Sequence, residues 1–141
     1  MRSEYHKIRR VIDRNQKRKR KMIVHAYLEP SDNAGTVMRL LGQRLNINHY
    51  WSNYWNECIG GKDTIVLRCE GMCELNGSNG ERDFAERTAI AIWHEVGGYR
   101  VVYVMAECPD TNTSEPVVMK SCYVLGKELF MRQFPSLPVP A

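Results

Sequence analysis

The chain of 141 residues has no run of 18 or more apolar residues, which excludes a membrane-spanning helix. No apolar stretch follows the charges at its N-terminus, so no secretory signal is expected. Cysteine is sparse and odd in number, with five residues. Cys69 and Cys73 form the one close pair, while Cys58, Cys108 and Cys122 stand alone, and there is no His-x-x-x-His. A structural zinc site shows paired ligands in two places, so no metal is expected. Small buried thiols in a reducing cytoplasm are the expectation. A Gly-x-Ser-x-Gly elbow is absent, and so is a glycine-rich phosphate loop ahead of Lys-Ser/Thr. These absences remove metal, serine-hydrolase and P-loop chemistry from the reading, and no cofactor is called for. Aromatic residues are only 9% of the chain, which makes their clustering informative.

Charge is divided unevenly. Residues 2–21 hold ten Lys/Arg against Glu4 and Asp13, a net charge of +8, in a chain whose total is +4. Residues 22–141 therefore carry −4. A basic arm of this kind binds nucleic acid by releasing counterions from phosphate, or serves as a solvated leader. Nucleic-acid-binding domains also carry basic groups on their folded part, and here that part is acidic. Lys17-Arg18-Lys19-Arg20-Lys21 reads as a linker, giving a basic tail over 1–21, a domain over 22–134 and a proline-rich tail over 135–141.

The domain reads strand, helix, strand, strand, helix, strand. Ile23 to Leu28 is an apolar, β-prone run ended by Pro30. Ser31 and Asp32 offer helix caps, and Val37, Met38, Leu41 and Leu45 set a helical stripe over 33–46. Residues 49–59 and 64–69 form a hairpin about Gly60-Gly61, which tolerate positive φ. Asn76 to Gly80 reads as a loop, with Asn79 as a cap and Glu81 and Asp83 in a first turn. Phe84, Thr88, Ala91, Ile92 and Val96 share a helix face, and Gly97-Gly98 ends that helix. Residues 99–106 are a strand, and 117–125 an additional one. This order predicts an α+β, ferredoxin-like βαββαβ antiparallel sheet with two helices on one face. Strands 23–28, 64–69 and 100–106 are apolar on both alternations, so the second sheet face also needs cover. A homo-oligomer supplies it.

His25 falls in a core strand and His94 beside Trp93, both as structural histidines. The unusual segment is His49-Tyr50-Trp51-Ser52-Asn53-Tyr54-Trp55-Asn56-Glu57, with four aromatics in six residues. Glu57, Asp63 and Glu70 lie nearby. Rings beside carboxylates suit a ligand that is cationic and partly planar. The same rings would also serve a core or an oligomer interface.

Thr64-Ile65-Val66-Leu67-Arg68-Cys69 resembles the third-strand motif of the small phage S-adenosylmethionine lyases, formerly called hydrolases. Ala91-Ile92-Trp93-His94-Glu95, followed by Tyr99-Arg100-Val101-Val102-Tyr103-Val104, is similar to that family too. So is Tyr54-Trp55-Asn56-Glu57-Cys58 ahead of the hairpin. The resemblance spans roughly residues 22–108. It implies ferredoxin-like subunits assembled as trimers, with ligand sites between subunits. It implies a reaction in which the carboxylate of S-adenosylmethionine attacks its own γ-carbon, expelling methylthioadenosine and leaving homoserine lactone. Such a step needs no metal or nucleophilic side chain, only an attack conformer and exclusion of water. By the resemblance Tyr54 orients the substrate, and Asp63 falls near the family's site carboxylate. Glu57 and Glu70 are rivals for holding the substrate ammonium. Tyr50 and Trp55 are expected adenine or sulfonium contacts by their ring chemistry, and His49 lies open beside them. Two other functions stay open: a non-catalytic protein holding a nucleotide-like ligand, and a nucleic-acid-binding accessory protein using the basic tail.

Overall fold

A computed structural model describes residues 17–45, 50–110 and 117–139. The architecture is α+β. Five strands, β1 (Lys17–Leu28), β2 (Tyr50–Ile59), β3 (Lys62–Asn76), β4 (Val101–Asp110) and β5 (Val117–Leu125), form one open sheet in the order β2-β3-β1-β4-β5. Every neighbouring pair is antiparallel. Three helices, α1 (Ala34–Leu45), α2 (Gly77–Val96) and α3 (Lys127–Gln133), are present among the described residues. None of them is long and apolar enough to cross a membrane.

Strand alternation divides the sheet into two unlike faces. Met22, Val24, Ala26 and Leu28 of β1 point to the helix side with Leu67, Cys69, Val102, Val104 and Ala106. There they meet Val37, Leu41 and Leu45 of α1 and Phe84, Ala85, Ala89, Ile92 and Trp93 of α2. This is the core. Among the described residues no helix packs on the other face, which carries Ile23, His25, Tyr27, Val66, Arg68, Glu70 and Tyr103. Ile23 and Val66 are nonetheless buried, whereas Val101, Val118 and Val124 at the β4–β5 side are exposed.

The expected helix over 33–46 and the strand over 117–125 agree with α1 and β5. The hairpin agrees as well: Gly60 and Gly61 stand at φ 56° and 78° in its two-residue turn, the geometry that matches strand twist. Four local expectations are corrected. The block Lys17–Lys21 is not a linker but the start of β1, paired with Met72–Asn76 of β3. Alternation sets Lys19 opposite Glu74 and turns Arg20 inward, where only 3% of its surface remains exposed. Arg20 Nε donates to Glu81 Oε2 at 2.6 Å, and its guanidinium also donates to the Leu75 carbonyl. Tyr123 Oη donates to the other Glu81 oxygen at 2.7 Å, so the buried pair is closed from three elements.

The loop expected over 76–80 is the second correction. β3 runs to Asn76 and α2 starts at Gly77, whose φ of 59° makes the sharp strand-to-helix turn. Neither Glu81 nor Asp83 therefore falls in the first turn, and Glu81 serves Arg20 instead. Third, the α1 cap is Asn33, whose Oδ1 accepts from Thr36 N at 3.1 Å. Asp32 is engaged elsewhere, accepting from Glu29 N at 2.8 Å and from Arg100 Nε and Nη2 at 2.7 and 3.0 Å. Fourth, α3 was not foreseen. Its Phe130 sits edge-on to Trp93 and Tyr99 at 5.5 and 5.7 Å, closing the core end.

Candidate functional site

The β2–β3 hairpin carries most of the residues singled out above. β2 is an edge strand and most of it is exposed. Its consecutive side chains alternate, so Tyr54 and Trp55 lie on opposite faces. Tyr54 stands opposite Leu67, a core residue, and so belongs to the helix side, where it remains 47% exposed. Asp63 stands opposite Cys58 and shares that side. The two are offset by four residues along the hairpin, about 13 Å.

Trp55, opposite Val66, and Glu57, opposite Thr64, belong to the open face. Glu70, opposite Trp51, belongs there too. Trp51 and Trp55 are 48% and 38% exposed. The structure thus gathers Trp55, Glu57 and Glu70 on one face and Tyr54 and Asp63 on the other. Tyr50 opens β2 with its backbone opposite Gly71. His49 lies outside the described residues.

The centre of the open face is a row that sequence inspection did not assemble. Arg68, His25 and Tyr103 are successive cross-strand partners on β3, β1 and β4. The His25 ring stacks on Tyr103 with centroids 4.5 Å apart and planes at 18°. Tyr27 Oη lies 3.4 Å from Tyr103 Oη. Arg68 Nη2 donates to Glu70 Oε1 at 2.7 Å, and Lys21 Nζ reaches the same oxygen at 3.5 Å. Only the β3 part of this face was legible in the sequence. Val66, Arg68 and Glu70 are spaced by two, so a strand must present them together.

The electrostatics follow from these contacts. The hydrogen bond from Arg68, together with the charges of Arg68 and Lys21, holds the Glu70 carboxyl below its usual range, against a smaller opposing effect of burial. It is therefore a carboxylate at neutral pH. Burial, and next the Arg68 charge, lower His25, which keeps its ring neutral. Its Nε2 is 3.5 Å from Arg68 Nη1, while its buried Nδ1 has no hydrogen-bond partner. Burial, then the Tyr27 hydroxyl, push Tyr103 up to about 12. On the helix side burial pushes Cys69 to about 12 and Cys73 to about 11, so both remain thiols. Such thiols are poor nucleophiles. No cluster of three His, Cys, Asp or Glu with metal-binding geometry occurs among the described residues.

The open face thus presents an ionised carboxylate, two half-exposed indoles and a guanidinium. That set can hold a cationic, partly planar molecule by charge and ring contact. Comparison with protein-family models, curated proteins and solved structures finds no match.

Proposed function

We propose that this protein degrades S-adenosylmethionine to methylthioadenosine and homoserine lactone, without a cofactor, in the cytoplasm of a phage-infected bacterium. The observation that carries the reading is the ionised Glu70 opposite Trp51 on the open sheet face, with Trp55 on the same face four residues farther along the hairpin. A sulfonium with an attached adenine and ammonium meets all three groups. The order β4-β1-β3-β2 of the first four strands, with α1 and α2 on one face, supports the ferredoxin-like arrangement that the resemblance implies. β5 then extends that sheet at the β4 edge.

The sidedness of the hairpin favours a particular assembly. One chain cannot close a pocket between Tyr54 and Trp55, because the sheet lies between them. A head-to-tail contact sets the Tyr54–Asp63 side of one copy against the open face of the next. Such contacts close into rings, of which a trimer is the simplest, and they cover the exposed apolar residues of the open face. Within that crevice Asp63 is the carboxylate on the same side as Tyr54. Glu70, already paired with Arg68, belongs to the neighbour's wall. The reaction joins a carboxylate to a carbon bearing a sulfonium and so annihilates opposite charges. Water exclusion by the second copy accelerates it.

The test is mass spectrometry of products after incubation with S-adenosylmethionine, with mass measurement of the assembly alongside. Methylthioadenosine and homoserine lactone are expected from an oligomer. Intact substrate after hours with excess protein would remove the lyase reading.

A further inference from the structure

Arg68 is a charged group of the open face to which the foregoing reading gives no task beyond holding Glu70. Its side chain is one-third exposed. A guanidinium has five N–H donors. Nη2 is committed to Glu70, and Nη1 stands at the long distance of 3.5 Å from His25 Nε2. Donors remain for a ligand. Glu70 is used just as unevenly. Arg68 and Lys21 both reach Oε1, and no contact to Oε2 occurs among the described residues. A half-spent cation and a half-spent anion therefore sit two residues apart on one strand face.

The pair is also held in place. Arg68 sits beside His25, which is 92% buried by its relative exposure of 8%. The stack with Tyr103 fixes that ring. Nε2 is the ring nitrogen that faces the guanidinium, and Nδ1 is buried without a hydrogen-bond partner. Trp51, opposite Glu70, and Trp55, opposite Val66, flank the pair.

We infer that Arg68 and Glu70 together form a recognition site for an α-amino-acid headgroup. The ligand carboxylate accepts hydrogen bonds from Arg68, and the ligand ammonium donates to Glu70 Oε2. A zwitterion matches both charges at once, which neither an isolated carboxylate nor an isolated amine does. The inference deepens the proposed function by naming the part of the substrate this face reads. Arg68 is there a positioning residue: it fixes the carboxylate from which attack begins. His25 in turn acts through Arg68.

Calorimetry with two probes tests this. S-adenosylhomocysteine carries the headgroup, and methylthioadenosine shares the nucleoside and sulfur without it. The wild-type protein is expected to prefer S-adenosylhomocysteine at least about tenfold, as charge-assisted hydrogen bonds provide. Arg68→Gln and Glu70→Gln should each collapse that preference, and Arg68→Lys should recover part of it. Circular dichroism and size-exclusion chromatography establish that each variant is folded. Should Arg68→Gln fail to fold, the near-isosteric Glu70→Gln carries the test. Equal wild-type affinity for the two probes, or a preference that survives both substitutions, overturns the inference. Headgroup preference without product formation would sustain it while removing the lyase reading.

Discussion

Replacing Arg20 with Met tests whether the basic block is part of the fold. The substitution keeps much of the volume of the side chain and removes its charge. Arg20 is almost wholly enclosed, and the Glu81 side chain retains 7% of its exposure. Tyr123 continues to satisfy Glu81 Oε1, while Oε2 and the Leu75 carbonyl lose their donor. Removing one member of a buried pair costs about 3–5 kcal/mol, because the other charge is left without compensation. For a chain of this length that lowers Tm by roughly 10–20 °C. The double variant Arg20→Met/Glu81→Gln keeps an acceptor for Tyr123 and removes the stranded charge, so it should recover most of the loss. Calorimetric melting of wild type and both variants measures this. A loss below about 1 kcal/mol would return Lys17–Lys21 to the status of a solvated linker.

Further outcomes are expected. Because His25 is held below its ordinary value of 6.5, the unfolded chain takes up a proton that the folded chain refuses, so stability declines as pH drops through about 6.5. His25→Gln should flatten that stretch of a melting-temperature profile. Gly61→Val meets no atom within 4 Å but must adopt a φ of +78°, and a loss of about 1–2 kcal/mol in denaturant unfolding is expected from backbone strain alone. Phe130→Ala should cost about 3–5 kcal/mol and loosen α3 first, as hydrogen exchange would report. Tyr54→Phe should slow release of methylthioadenosine without changing the mass of the assembly; unchanged turnover would exclude its hydroxyl.

Much of the fold was legible because its signals were local. The stripe Val37-Leu41-Leu45, the Gly60-Gly61 turn and the run 117–125 each announce one conformation. Gly97, at φ 74°, ends α2 where the Gly-Gly pair said it would. The failures occurred where a distant partner decides. Nothing within 17–21 says that Glu81, 61 residues away, will take Arg20 inside, and a run of five cations is ordinarily solvated. Asp32 similarly looks like a cap until Arg100, 68 residues on, claims it. The candidate site was legible as a list of residues and illegible as a place. Residues 49–57 read as a cluster along the chain, yet a strand sends its neighbours to opposite sides. His25 read as a structural histidine and Arg68 as one letter of a strand motif, because only the pairing of β3 with β1 makes them adjacent.

The two-residue link between Ile59 and Lys62 is, in effect, a parity lock. It decides which of two adjacent rings looks toward the helices and which looks away. One extra residue at that tip, even a harmless one for stability, would slide the edge strand by a single step and exchange Tyr54 for Trp55 throughout its length. Divergence in this protein should therefore tolerate changes of residue type at the tip far more readily than changes of its length.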